Sequence, residues 1–97
     1  MAQKNPAIPT RDQIKHAVYY AVASISNRSI ADLEEGMILG GSMPKGVGMD
    51  SDAVNATAGL LNVWIKHRGG KHTIRKGELT ESTKLSDVID VVKDKFS

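Results

Sequence analysis

Apolar residues recur every three to four positions in three stretches of the chain, and each stretch predicts an amphipathic helix. No stretch alternates with a period of two for long enough to predict a strand. We therefore predict an all-α fold, a small bundle of three long helices with one or two short helical turns. The core-facing positions are Ile14, Val18, Ala21, Val22 and Ile25 in the first stretch, Val54, Thr57, Ala58, Leu61, Trp64 and Ile65 in the second, and Leu85, Val88, Ile89, Val92 and Phe96 in the third.

Local signals mark where the first two helices begin and end. Thr10-Arg11-Asp12-Gln13 has the spacing of a capping box, and this predicts a first helix that runs to about Ser26. Asp50-Ser51-Asp52 supplies cap-type residues and negative charge, both of which are favourable at a helix N-terminus. The second helix should therefore start beside Ser51 and stop at Gly69-Gly70, where glycine can adopt the left-handed conformation that closes a helix.

The two connections differ from the helices in composition. Residues 27–50 contain Pro44 and five glycines, which argues for a long, partly ordered loop after a possible short turn of helix at Ile30, Ala31 and Leu33. Residues 71–81 are polar and should form a connection with one helical turn at most. A last helix then follows, capped by Ser82 or Thr83. The expected apolar anchors are Ile30, Leu33, Met37, Ile38 and Leu39 in the loop, and Ile74 and Leu79 in the second connection.

The composition bounds the organisation and the class of protein. With 97 residues the chain is long enough for one domain, which we place at residues 10–97, after a flexible lead-in at residues 1–9. There is no cysteine, so disulfides and thiol nucleophiles are excluded. No apolar stretch reaches the roughly 20 residues of a membrane-spanning helix. We expect no membrane span, a cytoplasmic location and a monomer.

Ser51 is the first candidate for a functional residue. Gly48-Met49-Asp50-Ser51 places a serine hydroxyl at the start of a helix after a glycine-rich loop. Exposed backbone N–H groups and the helix dipole favour an anionic group at such a position. The alternative is that Asp50 and Ser51 only cap the helix, as these residue types commonly do.

The order of these elements resembles the acyl carrier protein family. The shared features are a first helix, a long loop, Gly-Met-Asp-Ser, an amphipathic second helix, a linking segment and a final helix that opens with Ser-Thr-Lys-Leu. The resemblance covers about Thr10 to Phe96. It implies that a phosphopantetheinyl transferase attaches a 4'-phosphopantetheine arm from coenzyme A to Ser51, with Asp50 as the adjacent recognition residue. It also implies that acyl-transferring or synthase enzymes are partners, and that the chain is a carrier rather than an enzyme.

One position departs from the family motif. Asp52 stands where the family usually has leucine, so the motif reads Asp-Ser-Asp in place of Asp-Ser-Leu. In the family, that leucine and acidic residues on the second helix help to dock partner enzymes. Here the non-core positions of that helix are nearly neutral, and a specialised carrier is therefore expected. These positions are Asn55, Ala56, Gly59, Asn62 and Val63.

A basic stretch supports a second hypothesis, a small helical interaction or nucleic-acid-binding module. The net charge of +2 permits nucleic-acid binding without requiring it. Only Trp64 could stack on a base, and the helical pattern puts it near the core, so we favour a solvated connection that could instead dock an acidic partner. The basic residues are Lys66, Arg68, Lys71, Arg75 and Lys76.

The three histidines and the candidate serine do not predict catalysis. His67 and His72 could approach each other across Gly69-Gly70, but two histidines without a third ligand make a poor metal site. No glycine-flanked nucleophile turn surrounds Ser51, as a hydrolytic triad on a strand-to-helix turn would need. We therefore predict neither a metal site nor catalytic residues.

Overall fold

The computed structural model describes residues 8–97 and contains three α-helices. Helix α1 spans Arg11–Ser26, α2 spans Ser51–His67 and α3 spans Leu85–Asp94. A single 3₁₀ turn, Ile30–Asp32, lies between α1 and α2 at the place where a short turn was predicted. Within residues 8–97 there is no strand, and the prediction of an all-α fold is confirmed. The predicted flexible lead-in lies outside the described residues except for Ile8, which is exposed, and Pro9, which is buried.

Helix α1 starts with the predicted capping box. The backbone N–H of Gln13 donates to the Thr10 hydroxyl at 3.2 Å, and the Thr10 N–H donates to the Gln13 side chain at 2.9 Å. The helix ends where Asn27 takes the left-handed conformation with φ 61°. The capping box is a local signal that located the start of α1, and the apolar repeat that stops at Ile25 located its end.

The core forms where α1 packs against both α2 and α3. Nearly all of the predicted core positions are buried, and the helical register of the prediction is confirmed. Ile25, Ala58 and Trp64 are half-buried at the edge of the core. The fully buried helical side chains include Ile14, Val18 and Val22 of α1, Leu61 and Ile65 of α2, and Leu85, Val88, Ile89 and Val92 of α3.

The start and end of α3 differ from the prediction. Lys84 occupies the cap position without a side-chain hydrogen bond, so neither Ser82 nor Thr83 caps this helix. The Thr83 hydroxyl instead accepts from the backbone N–H of Thr80 at 2.9 Å and closes the preceding turn. The helix ends at Asp94, yet Phe96 beyond it is buried with its ring edge-to-face against Trp64 at 5.9 Å.

The segment between α1 and α2 is tied down by backbone hydrogen bonds. Ile38 forms a parallel bridge with Gly46 and an antiparallel bridge with Lys84, so the segment runs between its own later part and the residues before α3. Leu33, Met37 and Leu39 are buried as predicted, and Ile38, also a predicted anchor, is half-buried. Ile30 is exposed and is not an anchor, whereas Val47 and Met49 are buried anchors that the helical pattern did not reveal.

The connection between α2 and α3 contains turns and no helical turn. Ile74 and Leu79 are buried, which confirms them as the anchors of this connection. After α2, the N–H groups of Lys71 and His72 both donate to the Lys95 carbonyl, at 2.9 and 3.1 Å. These bonds hold the start of the connection against the end of the chain.

Candidate functional site

The candidate site is the first turn of α2. Asp50 is the cap residue, and its carboxylate accepts from the backbone N–H of Ala53 at 2.8 Å. Ser51 is the first residue of the helix and is exposed. Its hydroxyl makes no hydrogen bond within residues 8–97 and therefore contributes nothing to the cap. The structure thus divides the roles, since Asp50 holds the helix start and Ser51 presents a hydroxyl to solvent.

Three backbone hydrogen bonds fix the approach to Ser51. They run from the N–H groups of Val47, Gly48 and Met49 to the carbonyls of Ile38, Gly40 and Leu39, with N···O distances of 2.9, 3.1 and 2.9 Å. The Met49 side chain is buried, and the Thr57 hydroxyl donates to its sulfur at 3.6 Å. Ser51 therefore follows a supporting base formed by residues 38–40 and 47–49, whose backbones are hydrogen-bonded to each other. The prediction was a partly ordered loop at this place.

Two glycines allow this base to form. A Cβ atom on residue 46 would collide with the carbonyl oxygen of Gly40, so only glycine permits the two backbones to approach so closely. Gly48 has φ 94°, a conformation that residues with a side chain rarely adopt. The glycines that predicted an irregular loop are thus the residues that let it pack.

The electrostatics at Ser51 are mixed. The N–H groups of Ser51 and Asp52 have no protein acceptor within the described part of the chain, and with the helix dipole they favour an anion. The negative charges of the Asp50 and Asp52 carboxylates disfavour an anion at the same place. A phosphodiester on Ser51 would therefore gain most from a nearby cation.

Arg28 places a cation against the segment that leads to Ser51. Its Nε donates to the Val47 carbonyl at 3.2 Å, and its guanidinium lies 3.4 Å from the position of a Cβ atom on Gly48. Sequence reasoning missed Arg28 because it directly follows the cap residue of α1 and lies far from Ser51 along the chain. No local pattern marks it, since only the packing of the 27–50 segment brings it against Val47 and Gly48.

The predicted basic stretch does not form one continuous surface. Arg68 lies over the ring of Trp64, with its guanidinium carbon 5.3 Å from the ring centroid. Lys71 and Arg75 instead line a separate cleft of about 600 Å³ together with the Lys95–Glu78 ion pair. The Lys95 ammonium, and secondly the Arg75 backbone N–H, lower the pKa of Glu78.

Within residues 8–97 no cluster of three or more histidine or acidic side chains could hold a metal ion. None of the helices in this part of the chain is long and apolar enough to cross a membrane. No known protein family, curated protein or solved structure matches the chain. The class that the fold defines is a small all-helical domain, and any statement about its function rests on the site itself.

Proposed function

We propose that this protein is a carrier that presents an acyl group as a thioester on a 4'-phosphopantetheine arm attached to Ser51. The observation that carries the proposal is the exposed Ser51 hydroxyl on the first turn of α2, above a base fixed by backbone hydrogen bonds. A carrier needs an attachment point that is accessible and that the fold holds in a defined position. Ser51 is exposed, and backbone hydrogen bonds hold the residues that precede it. The arm also supplies the thiol that this cysteine-free chain lacks.

Attachment is a phosphoryl transfer catalysed by a phosphopantetheinyl transferase. The Ser51 oxygen attacks the phosphorus that bears the pantetheine in coenzyme A. The bond from this phosphorus to the bridging pyrophosphate oxygen breaks, the adenosine bisphosphate leaves, and the serine proton passes to the transferase or to solvent. The product is a phosphodiester with one negative charge at the N-terminus of α2, where helix ends favour anions.

Neighbouring residues have separate roles in this proposal. Asp50 caps α2 and gives the transferase a recognition contact beside the nucleophile. Arg28 lies against Gly48, three residues before Ser51, and supplies positive charge on the approach to the attachment point. Acyl-transferring or synthase enzymes then act on the thiol of the arm, and the chain itself performs no catalysis.

The nucleic-acid-binding alternative is less well supported. Such a site needs cations and stacking aromatic rings on one surface. Trp64 is half-buried, with its ring against Phe96 and Arg68, while Lys71 and Arg75 lie in a different cleft. Arg68 therefore lies apart from Lys71 and Arg75, and the cleft that holds these two residues is lined by the imidazole of His72 but by no tryptophan, tyrosine or phenylalanine ring.

Intact mass after incubation with coenzyme A and a broad-specificity transferase tests the proposal. The wild-type protein should gain the mass of one phosphopantetheine, and Ser51→Ala should gain none. Ser42→Ala is the matched control, because Ser42 is also exposed and lies in the loop before α2. It should be loaded like the wild type. An unmodified wild type, or a loaded Ser51→Ala variant, would show that the proposal is wrong.

A further inference from the structure

A polar cleft of about 600 Å³ lies between the end of α3 and the connection that follows α2. Every residue in its lining has a polar or charged side chain, and three of these side chains are cationic while one is a carboxylate. A concave site that is lined mainly by one sign of charge attracts ions of the opposite sign. The lining residues are Lys71, His72, Thr73, Arg75, Glu78 and Lys95.

Hydrogen bonds fix both walls of the cleft. The N–H groups of Lys71 and His72 donate to the Lys95 carbonyl at 2.9 and 3.1 Å, so this carbonyl at the end of α3 does not require a neighbouring cation. On the other wall, the Glu78 carboxylate accepts from the backbone N–H of Arg75 at 2.7 Å. These contacts form without a ligand, and a site that is already in place costs less to occupy.

The single carboxylate of the cleft already has a cationic partner. The Lys95 ammonium lies 2.7 Å from one oxygen of Glu78 and 2.9 Å from the other. The Lys95 side chain is only 14% exposed, and a charge so far withdrawn from water needs its partner. No other carboxylate of residues 8–97 lines the cleft. The Lys95–Glu78 pair is therefore a neutral part of the wall.

Lys71 and Arg75 carry the charge that remains. Neither side chain forms an ion pair within residues 8–97, and both residues are exposed. Thr73 lies between them in the chain, and its hydroxyl also lines the cleft without a hydrogen-bond partner in this part of the chain. With His72 neutral, three cations against one carboxylate give the lining a net charge of +2.

A phosphate monoester matches this charge. One such group carries about −1.5 to −2 at pH 7 and presents three strong acceptor oxygens. A carboxylate or a phosphodiester carries a single negative charge and would leave one of the two cations without a partner. A guanidinium binds phosphate through parallel N–H bonds, and an ammonium binds it as a compact charge. Arg75 and Lys71 supply one of each.

We propose that the cleft binds a small molecule that bears a phosphate monoester. The phosphate pairs with the Lys71 ammonium and the Arg75 guanidinium and accepts a hydrogen bond from the Thr73 hydroxyl. The lining holds no tryptophan, tyrosine or phenylalanine ring on which a nucleobase could stack, so the phosphate is the part that is recognised. The volume of the cleft lies within the range of roughly 300–1,000 Å³ that is usual for ligand sites.

This site is separate from the proposed attachment point. Ser51 begins α2 and His67 ends it, about 24 Å away at roughly 1.5 Å per residue, and the cleft follows that end. Ser51→Ala should therefore bind the phosphate ligand like the wild type. Loading of Ser51 is measured separately by mass, so failure of the carrier proposal and failure of this one are distinguishable.

Phenyl phosphate and phenyl sulfate serve as matched probes. They are nearly the same in shape, but near neutral pH the phosphate carries close to two negative charges and the sulfate carries one. NMR titration at low salt measures binding through the backbone amide signals. Phenyl phosphate should occupy one site per chain, shift mainly the signals of residues 71–78 and Lys95, and bind at least about fivefold more tightly than phenyl sulfate. Added salt should weaken its binding.

Matched variants assign binding to the cleft. Lys71→Gln and Arg75→Gln should each weaken binding of phenyl phosphate by about 3- to 10-fold, the effect expected when one charged hydrogen-bond partner is lost. Both variants should keep the unfolding midpoint of the wild type, because neither side chain has a partner within residues 8–97. Lys66→Gln is the control, since Lys66 is exposed in the last turn of α2 and does not line the cleft. It should bind like the wild type.

Three results would overturn the proposal. Lys66→Gln could weaken binding as much as Lys71→Gln, which would show a diffuse attraction to the basic stretch. The two probes could bind equally, or the double variant Lys71→Gln/Arg75→Gln could bind like the wild type. Tighter binding of thymidylyl-thymidine, a phosphodiester, would identify nucleic acid as the ligand and would overturn it as well.

Discussion

The side-chain amide of Asn62 in α2 pairs with the backbone of Ile74. The Ile74 N–H donates to Oδ1 at 2.7 Å, and Nδ2 donates to the Ile74 carbonyl at 3.0 Å. Ile74 itself is buried. The two bonds hold the connection between α2 and α3 against the middle of α2, and they give Asn62 a structural role at a position predicted to face away from the core.

Replacing Asn62 by alanine should therefore destabilise the protein. The change leaves two backbone groups near a buried side chain without partners, at a cost of about 1–3 kcal/mol. Asn55→Ala is the matched control, because Asn55 is two turns earlier on the same helix and exposed. It should change stability by no more than about 0.5 kcal/mol. Urea unfolding of both variants gives the comparison, and equal midpoints would contradict the role of Asn62.

Adjacent leucines in α2 should respond very differently to truncation. Leu61 is 1% exposed, and Leu61→Ala should cost about 2–5 kcal/mol through lost burial and a residual cavity. Leu60 is 37% exposed and lines the open groove between α1 and α2, so Leu60→Ala should cost less than about 1 kcal/mol. Thermal and urea unfolding measure both. A near-neutral effect of Leu61→Ala on the free energy of unfolding would contradict the burial of Leu61 in the core.

The start of α2 offers a test of how Asp50 and Ser51 divide their roles. Asp50→Ala removes the hydrogen bond to the Ala53 N–H and should cost about 0.5–2 kcal/mol, as is usual for the loss of a cap. Ser51→Ala removes a hydroxyl without a partner and should stay within about 0.5 kcal/mol of the wild type. Circular dichroism during urea unfolding compares them. A larger loss for Ser51→Ala would show that Ser51 is the cap.

Two glycines should respond to alanine with opposite signs. Gly59 lies inside α2, and a Cβ atom there would meet no neighbour, so Gly59→Ala should stabilise the protein by about 0.5–1 kcal/mol. Gly46→Ala would drive its Cβ atom into the carbonyl of Gly40 and should destabilise by at least about 1–3 kcal/mol. Unfolding midpoints decide the sign of each change. Tolerance of alanine at position 46 would refute the close approach.

Glu35 links the segment after α1 to α1 itself. Its carboxylate lies 2.6 Å from a guanidinium nitrogen of Arg11 and 3.1 Å from the Lys15 ammonium. Hydrogen bonds from Arg11 first, and then from Lys15, lower the pKa of Glu35 from 4.5 to about 2. A carboxyl group with a lowered pKa in the folded state stabilises that state above its unfolded pKa.

The contribution of Glu35 to stability should therefore be complete above pH 4.5 and should disappear as the pH falls towards 2. Glu35→Gln should be less stable than the wild type near neutral pH, and the difference should vanish through this window. Glu34→Gln is the control, since its exposed neighbour Glu34 forms no ion pair within residues 8–97. Urea unfolding across the pH range measures both, and a pH-independent difference would exclude the linkage.

Local pattern was sufficient to predict that the three helices exist and where Ser51 lies, but it did not give the start and the end of α3. The capping box of α1, the apolar spacing of α3 and the cap-type residues at 50–52 each depend on neighbours within about one or two turns, so the chain itself specifies them. The identity of Ser51 as an attachment point comes from a family resemblance, and it stays a prediction until mass measurement tests it.

Packing between segments that are distant in the sequence decided the surroundings of Ser51, the partner of Asn62 and the groove between α1 and α2. The base under Ser51 depends on Met49 meeting Leu39, and Arg28 reaches this base only because the 27–50 segment folds back on itself. Asn62 gains its partner Ile74 across a connection whose turns no sequence period describes. An open groove of about 620 Å³ lies between α1 and α2, and Tyr20 and Val63 both line it. Hydrophobic periodicity shows which face of one helix is apolar, but it does not show which apolar face the neighbouring helix leaves uncovered.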